Sequence, residues 1–149
     1  NVNKAQKVIL VSEIEKYFGG NIKDKKIAMW GLAFKANTDD IREASSLDNI
    51  SLLLEKGAKI TAYDAIAEEN VKKIFSDKIE YTKDMYSCLE DADCLLIATE
   101  WSEFKNPNFQ LMAEKMKNKA IFDGRNMFSI DQIENTGFYY KSIGRKTIK

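Results

Sequence analysis

The pattern of apolar and polar residues changes once along the chain, close to residue 20. From residue 2 to residue 18, apolar residues recur at intervals of three and four, which predicts an amphipathic helix with a wide apolar stripe. Gly19 and Gly20 predict the end of that helix. Beyond them, short apolar runs alternate with helical patterns. The sequence therefore predicts a linking helix over residues 1–20 and an α/β domain over residues 21–149.

The alternation in the second part predicts a fold class and the places to search for a site. The predicted strands cover residues 26–33, 59–63, 79–82, 94–98, 120–122 and 138–143, and the predicted helices cover residues 45–56, 67–75, 85–92, 109–116 and 130–135. Such alternation favours right-handed crossovers and an α/β fold with a doubly wound, mainly parallel, Rossmann-like sheet of about six strands. Ligands bind such sheets beyond the carboxyl ends of the strands. The candidate loops are therefore residues 34–43, 64–67, 99–108 and 123–128.

Composition and charge exclude several classes of function. The chain has 149 residues, of which 44% are hydrophobic and 31% charged, which suits one domain with a sizeable core. Lysine plus arginine and aspartate plus glutamate both number 23, which argues against a nucleic acid or a membrane surface as partner. The lack of histidine excludes imidazole-based catalysis and most zinc sites, so no metal is expected.

Cysteine usage and the start of the chain bear on its setting. Two cysteines cannot form a disulfide scaffold and favour a reducing, cytoplasmic location. Cys88 and Cys94 lie in apolar surroundings without a glycine-rich turn, so both are interpreted as small core residues. Asn1 opens a polar stretch without an initiator methionine, and no signal peptide is visible. We therefore expect the chain to be a fragment of a longer protein.

The loop after the first predicted strand is long and polar, and it carries two basic residues. It contains neither a G-x-G-x-x-G nor a G-x-x-x-x-G-K-[ST] motif, so this unit is not expected to hold a dinucleotide in the usual way. Lys35 and Arg42 are candidates for neutralising phosphate groups, and a guanidinium binds phosphate bidentately. A solvated charge cluster beside a helix start is the alternative, and the loop by itself leaves both open.

Two further loops carry candidate residues. Trp101 and Phe104 follow the most apolar strand, where large aromatic residues either line a base or sugar pocket or close the edge of the core. Packing at the core edge is the favoured interpretation. Gly124 permits a tight turn that presents Arg125 at the end of the next strand. Taken alone, Arg125 is compatible with either a binding or a solvent-facing role.

Several segments together resemble a known family. In order along the chain they are GLAFKANTDDIREASS at 31–46, YD at 63–64, ATEWSEF at 98–104, FDGRN at 122–126 and GFYYKSIGR at 137–145. They resemble the C-terminal UDP-binding domain of UDP-glucose 6-dehydrogenases, in the UDP-glucose/GDP-mannose dehydrogenase family. The opening NVNKAQK resembles the end of that family's central helix. ATEWSEF and DGRN favour the UDP-glucose branch over the related UDP-N-acetylmannosamine and GDP-mannose dehydrogenases.

The resemblance implies an activity and an organisation for the whole enzyme. UDP-glucose is oxidised to UDP-glucuronate with two NAD⁺ and water, through a cysteine in a glycine-rich segment. An N-terminal domain binds NAD, a central helix forms the homodimer, and the C-terminal domain binds the UDP-sugar. The catalytic cysteine and the NAD motif would lie before Asn1, so the resemblance implies that this stretch alone is inactive and holds no catalytic residue.

The resemblance also implies roles for four residues. Phe34, Lys35 and Arg125 correspond to residues that contact the UDP-sugar, and Arg42 corresponds to an arginine that reaches NAD across the cleft. Alanine stands at positions 36 and 65, where many relatives have proline, which affects loop rigidity rather than contacts.

Two rival functions remain at this stage. A phospho-acceptor domain also has an acidic pair after its first strand, but it needs an aspartate after the third strand and a lysine after the fifth. Those places hold Thr82 and the segment around Arg125, which disfavours this rival. The other rival is a non-catalytic module that binds a nucleotide sugar.

Overall fold

A computed structural model of the chain describes residues 9–33 and 45–143. Its strands are β1 (Lys26–Trp30), β2 (Lys59–Tyr63), β3 (Glu80–Tyr81), β4 (Cys94–Ile97), β5 (Ala120–Asp123) and β6 (Tyr139–Ser142). Its α-helices are α1 (Ile9–Tyr17), α2 (Ser45–Glu55), α3 (Glu68–Phe75), α4 (Phe109–Lys115) and α5 (Ile130–Ile133). Short 3₁₀ turns cover Ser76–Lys78, Ser87–Leu89 and Ser102–Phe104.

All six strands form one parallel sheet, in the order β3-β2-β1-β4-β5-β6. This order is that of doubly wound dinucleotide-binding folds, and it confirms the predicted α/β class. The register aligns the carboxyl ends of the central strands, because Trp30 pairs with both Tyr63 and Ile97, and Ile97 pairs with Asp123. The loops that follow β1, β2, β4 and β5 therefore meet at one edge of the sheet.

Alternate residues of each strand face two separate hydrophobic layers. Ile27 and Met29 of β1 face a layer shared with α1, α2 and α3. Ala28 and Trp30 face the opposite layer, shared with α4, α5 and the Ser87–Leu89 turn. The central strand β4 is buried along its whole length, as its apolar sequence predicts. Helices on both faces make the sheet doubly wound.

The described part of the first helix packs on the sheet of the same chain. Leu10, Val11 and Ile14 of α1 are buried in the layer that contains α2 and α3. The Tyr17 ring meets the Phe122 ring of β5 edge-on, with centroids 5.7 Å apart. The apolar stripe of residues 9–17 thus has its partner surface within this chain. The division at residue 20 stays a prediction.

Most predicted bounds lie within two residues of the observed ones, but two predicted elements depart further. The predicted helix over residues 85–92 is wrong, because that stretch contains only the Ser87–Leu89 turn. The Asp84 carboxylate accepts hydrogen bonds from the amides of Tyr86 and Ser87 (3.0 and 2.8 Å). These bonds favour a tight turn where the predicted helix would begin. The first strand ends at Trp30 rather than at residue 33, because Gly31 turns the chain with a φ of +95°.

Candidate functional site

The carboxyl edge of the sheet is organised by the Asp64 side chain, which follows β2 and is 4% exposed. Its Oδ2 accepts from the amides of Leu32 (2.7 Å) and Ala33 (3.2 Å), and its Oδ1 accepts from those of Ile66 and Ala67 (both 2.8 Å). One carboxylate therefore fixes the start of the β1 loop and the turn into α3. Leu32 and Ala33 directly precede the predicted substrate residues.

A fifth donor brings the β4 loop to the same carboxylate. The indole Nε1 of Trp101 donates to Oδ2 of Asp64 over 3.2 Å, and the indole is 7% exposed. Phe104 is fully buried and stacks on Trp30 with ring centroids 4.9 Å apart. Both aromatic residues pack at the core edge, which confirms the favoured interpretation of this motif.

The β1 and β4 loops lie so close together that only glycine fits at one position. The Thr99 hydroxyl donates to the Ala33 carbonyl over 2.7 Å. A Cβ on Gly31 would lie 2.7 Å from the Thr99 amide nitrogen, and Gly31 has the left-handed φ noted above. The hydroxyl of Ser46, at the start of α2, donates to the Leu32 carbonyl over 2.6 Å. The ATEWSEF segment thus holds the base of the β1 loop in place.

The same segment contacts the end of β2 a second time. The phenol of Tyr63 donates to Oε1 of Glu103 over 2.7 Å. Burial, together with this hydrogen bond to a carboxylate, raises the pKa of Tyr63 well above its ordinary value. The phenol therefore stays protonated and keeps its role as donor.

A second buried carboxylate shapes the loop after β5. Asp123 is fully buried, and its Oδ1 accepts from the Arg125 amide over 2.8 Å. Its Oδ2 accepts from the Met127 amide and from the Tyr140 hydroxyl, both over 2.6 Å. Burial and the neighbouring Asp123 raise the pKa of Tyr140. The main chain of the DGRN turn is consequently fixed by a carboxylate at its first position.

Arg125 lies on this turn with its side chain at the surface. Its Nε and Nη2 both donate to Oε1 of Glu100, over 3.1 and 2.6 Å. The two side chains are 41% and 49% exposed, so this ion pair is accessible to solvent. Arg125 therefore carries a guanidinium at the carboxyl edge, between the ends of β4 and β5.

Of the four site residues predicted from the sequence, one lies among the described residues. Arg125 lies where the DGRN motif predicts it, at the end of β5. Phe34, Lys35 and Arg42 fall outside the described residues, and their roles stay predictions. The β1 loop that carries them starts and ends at described anchors, which are Ala33 and α2.

Sequence reasoning missed two members of this edge. The sequence marks Asp64 only as a member of the YD pair and of the candidate loop at residues 64–67, although an acidic residue directly after a strand signals a loop anchor. Glu100 carries no such signal, because it lies 25 residues from its partner Arg125 and only the pairing of β4 with β5 brings them together.

The residues of this edge do not fit a dinucleotide held on this sheet in the usual manner. In dinucleotide-binding sheets, a carboxylate about 20 residues beyond the phosphate loop hydrogen-bonds the ribose. Asp64 follows β2, where such a carboxylate is expected, but its two oxygens already accept five internal hydrogen bonds. The loop after β1 also lacks the glycine fingerprint. This sheet is therefore poorly suited to hold NAD in that manner.

A cleft of about 330 Å³ lies beside the end of β2 and is acidic. Glu68 and Glu69 line it, and Lys83 is the cation among its lining residues. Lys83 is already paired with Glu68 over 3.0 Å. Because carboxylates outnumber the single cation among its lining residues, the cleft is poorly suited to a diphosphate. The part of the carboxyl edge that carries Arg125 lies elsewhere, at the end of β5.

Both cysteines lie in the core and are unsuited to nucleophilic chemistry. Cys88 donates weakly to the Thr61 carbonyl over 3.2 Å, and burial raises its pKa to about 12. Burial also raises the pKa of Cys94, with the nearby Asp93 charge adding to the shift. Because the thiolate is the reactive form, neither residue is a nucleophile at neutral pH.

We expect both thiols to resist modification in the native chain. At pH 8, a disulfide reagent such as Ellman's reagent should label neither cysteine, because both thiols are buried and protonated. The same reagent should label both after unfolding in guanidinium chloride. Rapid labelling of either thiol in the folded chain would contradict its assignment to the core.

The described residues hold neither a cluster of metal-ligating side chains nor a membrane-spanning helix. Residues 9–33 and 45–143 contain no group of three or more histidine, cysteine, aspartate or glutamate side chains placed to hold a metal ion. Within those residues, none of the helices combines the length and the apolar character that a membrane span requires.

The order of the strands and the loops at their carboxyl ends define a Rossmann-like, doubly wound α/β domain. Residues 28–130 match the UDP-binding domain of the UDP-glucose/GDP-mannose dehydrogenase family. This match covers most of the chain, so the chain belongs to that family. The resemblance carried by the loop motifs is thereby confirmed.

Individual relatives agree with this assignment. The chain is 38% identical over 147 residues to the UDP-glucose 6-dehydrogenase TuaD of Bacillus subtilis, and the alignment covers 99% of the chain and 32% of that relative. A UDP-glucose dehydrogenase structure from Pyrobaculum islandicum superposes with a TM-score of 0.73 at 26% identity, over 94% of this chain and 29% of that one. A UDP-N-acetyl-mannosamine dehydrogenase structure from Staphylococcus aureus gives a TM-score of 0.65 at 31% identity, over 93% and 30%. The chain spans about a third of the length of the curated relatives that it matches.

Proposed function

We propose that the chain is the UDP-sugar-binding part of an NAD-dependent UDP-glucose 6-dehydrogenase. The observation that carries the proposal is the placement of Arg125 at the carboxyl edge of the sheet, on a turn fixed by Asp123, within a domain of this family. A guanidinium there provides charged donors for a diphosphate, where doubly wound sheets bind their ligands. The proposed substrate contacts are Phe34, Lys35 and Arg125.

The proposed role of this part is to bind and orient the substrate. The charged side chains at the carboxyl edge hold the diphosphate, and the binding energy obtained there positions the sugar C6 alcohol at a reactive group elsewhere. That group is a cysteine outside these residues, because Cys88 and Cys94 are buried and protonated. When bound, NAD⁺ accepts the hydride that leaves C6.

NAD is proposed to bind a separate N-terminal domain that faces this edge. Support comes from the poor fit of the present sheet to a dinucleotide and from the share of the relatives' length that the chain covers. Arg42 would contribute one contact across the cleft. A homodimer formed through the central helix of the full-length enzyme, and a cytoplasmic location, belong to the same proposal.

We expect the 149-residue chain to produce no NADH from UDP-glucose and NAD⁺. The physical reason is that its two thiols are inert and its sheet does not fit NAD. Absorbance at the NADH wavelength measures turnover, and the same chain joined to an NAD-binding domain of a relative provides the positive control. Sustained NADH formation by the chain alone would contradict the proposed division of labour.

The positive control also tests the substrate. In the joined protein, UDP-glucose should be oxidised faster than UDP-N-acetylmannosamine, because the ATEWSEF and DGRN segments favour the UDP-glucose branch. The reverse preference would assign the chain to the UDP-N-acetylmannosamine dehydrogenases. If UDP-glucose binds but neither sugar is oxidised, the chain is a non-catalytic nucleotide-sugar-binding module.

A further inference from the structure

We propose that the Glu100 carboxylate is bound to the guanidinium of Arg125 when no ligand is present, and that an anionic ligand displaces it. The inference rests on the proposed function, because it takes Arg125 to be a ligand contact. It assigns to Glu100 a role as a competitor that weakens and thereby tunes the binding of a nucleoside diphosphate.

The geometry of the pair is that of an anion already bound. Nε and Nη2 of Arg125, which form one edge of the guanidinium, both donate to Oε1 of Glu100 over 3.1 and 2.6 Å. A phosphate oxygen binds the same kind of edge with the same two donors. The carboxylate therefore stands in for a ligand oxygen and uses two of the five donors of Arg125.

The surroundings allow the side chain of Arg125 to change partner while its backbone stays in place. The Arg125 amide is fixed by the fully buried Asp123 over 2.8 Å. The guanidinium and the Glu100 carboxylate are 41% and 49% exposed, so water and ligand can reach both. An exchange of partners requires rotation of two surface side chains and no change of the turn.

The charges decide the sign of the effect of Glu100. A paired Glu100 and Arg125 have no net charge, so an approaching diphosphate meets a neutral pair rather than a cation. Exposed ion pairs contribute little to stability, so the ligand can break this one at small cost. Removing the charge of Glu100 should therefore tighten binding by about two- to fivefold.

The opposite role makes the opposite prediction. If Glu100 served to aim Arg125 at the ligand, its loss would release the guanidinium and weaken binding. The sign of the change therefore separates a competitor from a positioning residue.

The test is calorimetric titration of UDP into the 149-residue chain and its variants at low ionic strength. Glu100→Gln should lower the dissociation constant about two- to fivefold. Glu103→Gln is the matched control, because it removes the same charge from the same loop but its carboxylate accepts from Tyr63 rather than from Arg125. This control should change the dissociation constant by less than about twofold. Circular dichroism confirms that each variant is folded.

The double variant separates a specific effect from a general one. In an Arg125→Ala background, Glu100→Gln should change UDP affinity no more than Glu103→Gln does. Equal or weaker UDP binding by Glu100→Gln, or tightening that persists without Arg125, would overturn the role of Glu100 alone. Failure of the wild-type chain to bind UDP, or UDP binding unaffected by Arg125→Ala, would overturn the proposed function together with this inference.

Discussion

Replacement of Asp64 by asparagine is expected to lower the free energy of unfolding by about 3–5 kcal/mol. The substitution replaces one oxygen of a buried carboxylate, whose two oxygens both accept hydrogen bonds, by a donor. The carboxylate of Asp64 accepts five hydrogen bonds. An amide nitrogen in place of Oδ2 would face three donors, which are the Leu32 and Ala33 amides and the Trp101 indole. Donors that face another donor lose their hydrogen bonds without access to water.

Urea denaturation followed by circular dichroism measures this change. Asp131→Asn is the control, because Asp131 is an exposed acidic residue in the first turn of α5. Its loss should cost less than about 1 kcal/mol. An Asp64→Asn variant as stable as the Asp131→Asn variant would show that Asp64 does not organise the carboxyl edge.

Replacement of Arg125 by alanine is expected to raise the dissociation constant for UDP-glucose by about ten- to a hundredfold. A hydrogen bond to a charged group contributes about 1.5–3 kcal/mol, and each 1.4 kcal/mol corresponds to about a factor of ten. The loss of the exposed pair with Glu100 subtracts little from this effect, because such pairs are weak.

The control for Arg125→Ala removes a cation elsewhere. Lys56 follows α2 and pairs with Glu15 over 3.1 Å, and both side chains are 31% exposed. Lys56→Ala therefore also removes one cation and one ion pair, and it should leave UDP-glucose affinity within about twofold. Equal effects of Arg125→Ala and Lys56→Ala on UDP-glucose affinity would contradict the binding role of Arg125.

A second arginine is predicted to act on the cofactor rather than on the substrate. In a protein joined to an NAD-binding domain, Arg42→Ala should raise the Michaelis constant for NAD⁺ by about ten- to a hundredfold.

The sheet could be predicted from the sequence because its strands are short, apolar and separated by helical patterns. The run CLLI, for example, predicts a buried central strand, and β4 is that strand. The helix predicted over residues 85–92 is wrong because local polar contacts override periodicity. There, the Asp84 carboxylate binds two following amides and Asp91 adopts a left-handed φ of +56°, so the chain turns instead.

The candidate site could be predicted only in part. DGRN predicts a tight turn that presents Arg125, since a glycine in a strand-end turn is a local signal. The pairing of Arg125 with Glu100 depends on the register of β4 against β5, and the five donors around Asp64 come from three loops. Neither constellation has a local signature. The packing of α1 on the sheet likewise depends on which surface covers its stripe, which periodicity does not reveal.

Titration of UDP-glucose and of NAD⁺ into separate ¹⁵N-labelled samples of the chain, followed by amide chemical shifts, tests the central claim most directly. The account predicts saturable shifts with UDP-glucose that concentrate on residues 99–104 and 124–127, at the carboxyl edge of the sheet. It predicts no saturable shifts with NAD⁺, because Asp64 is occupied and the glycine fingerprint is missing. Saturable binding of NAD⁺ at the end of β2, with no response to UDP-glucose, would contradict the assignment of this sheet as the UDP-sugar-binding part.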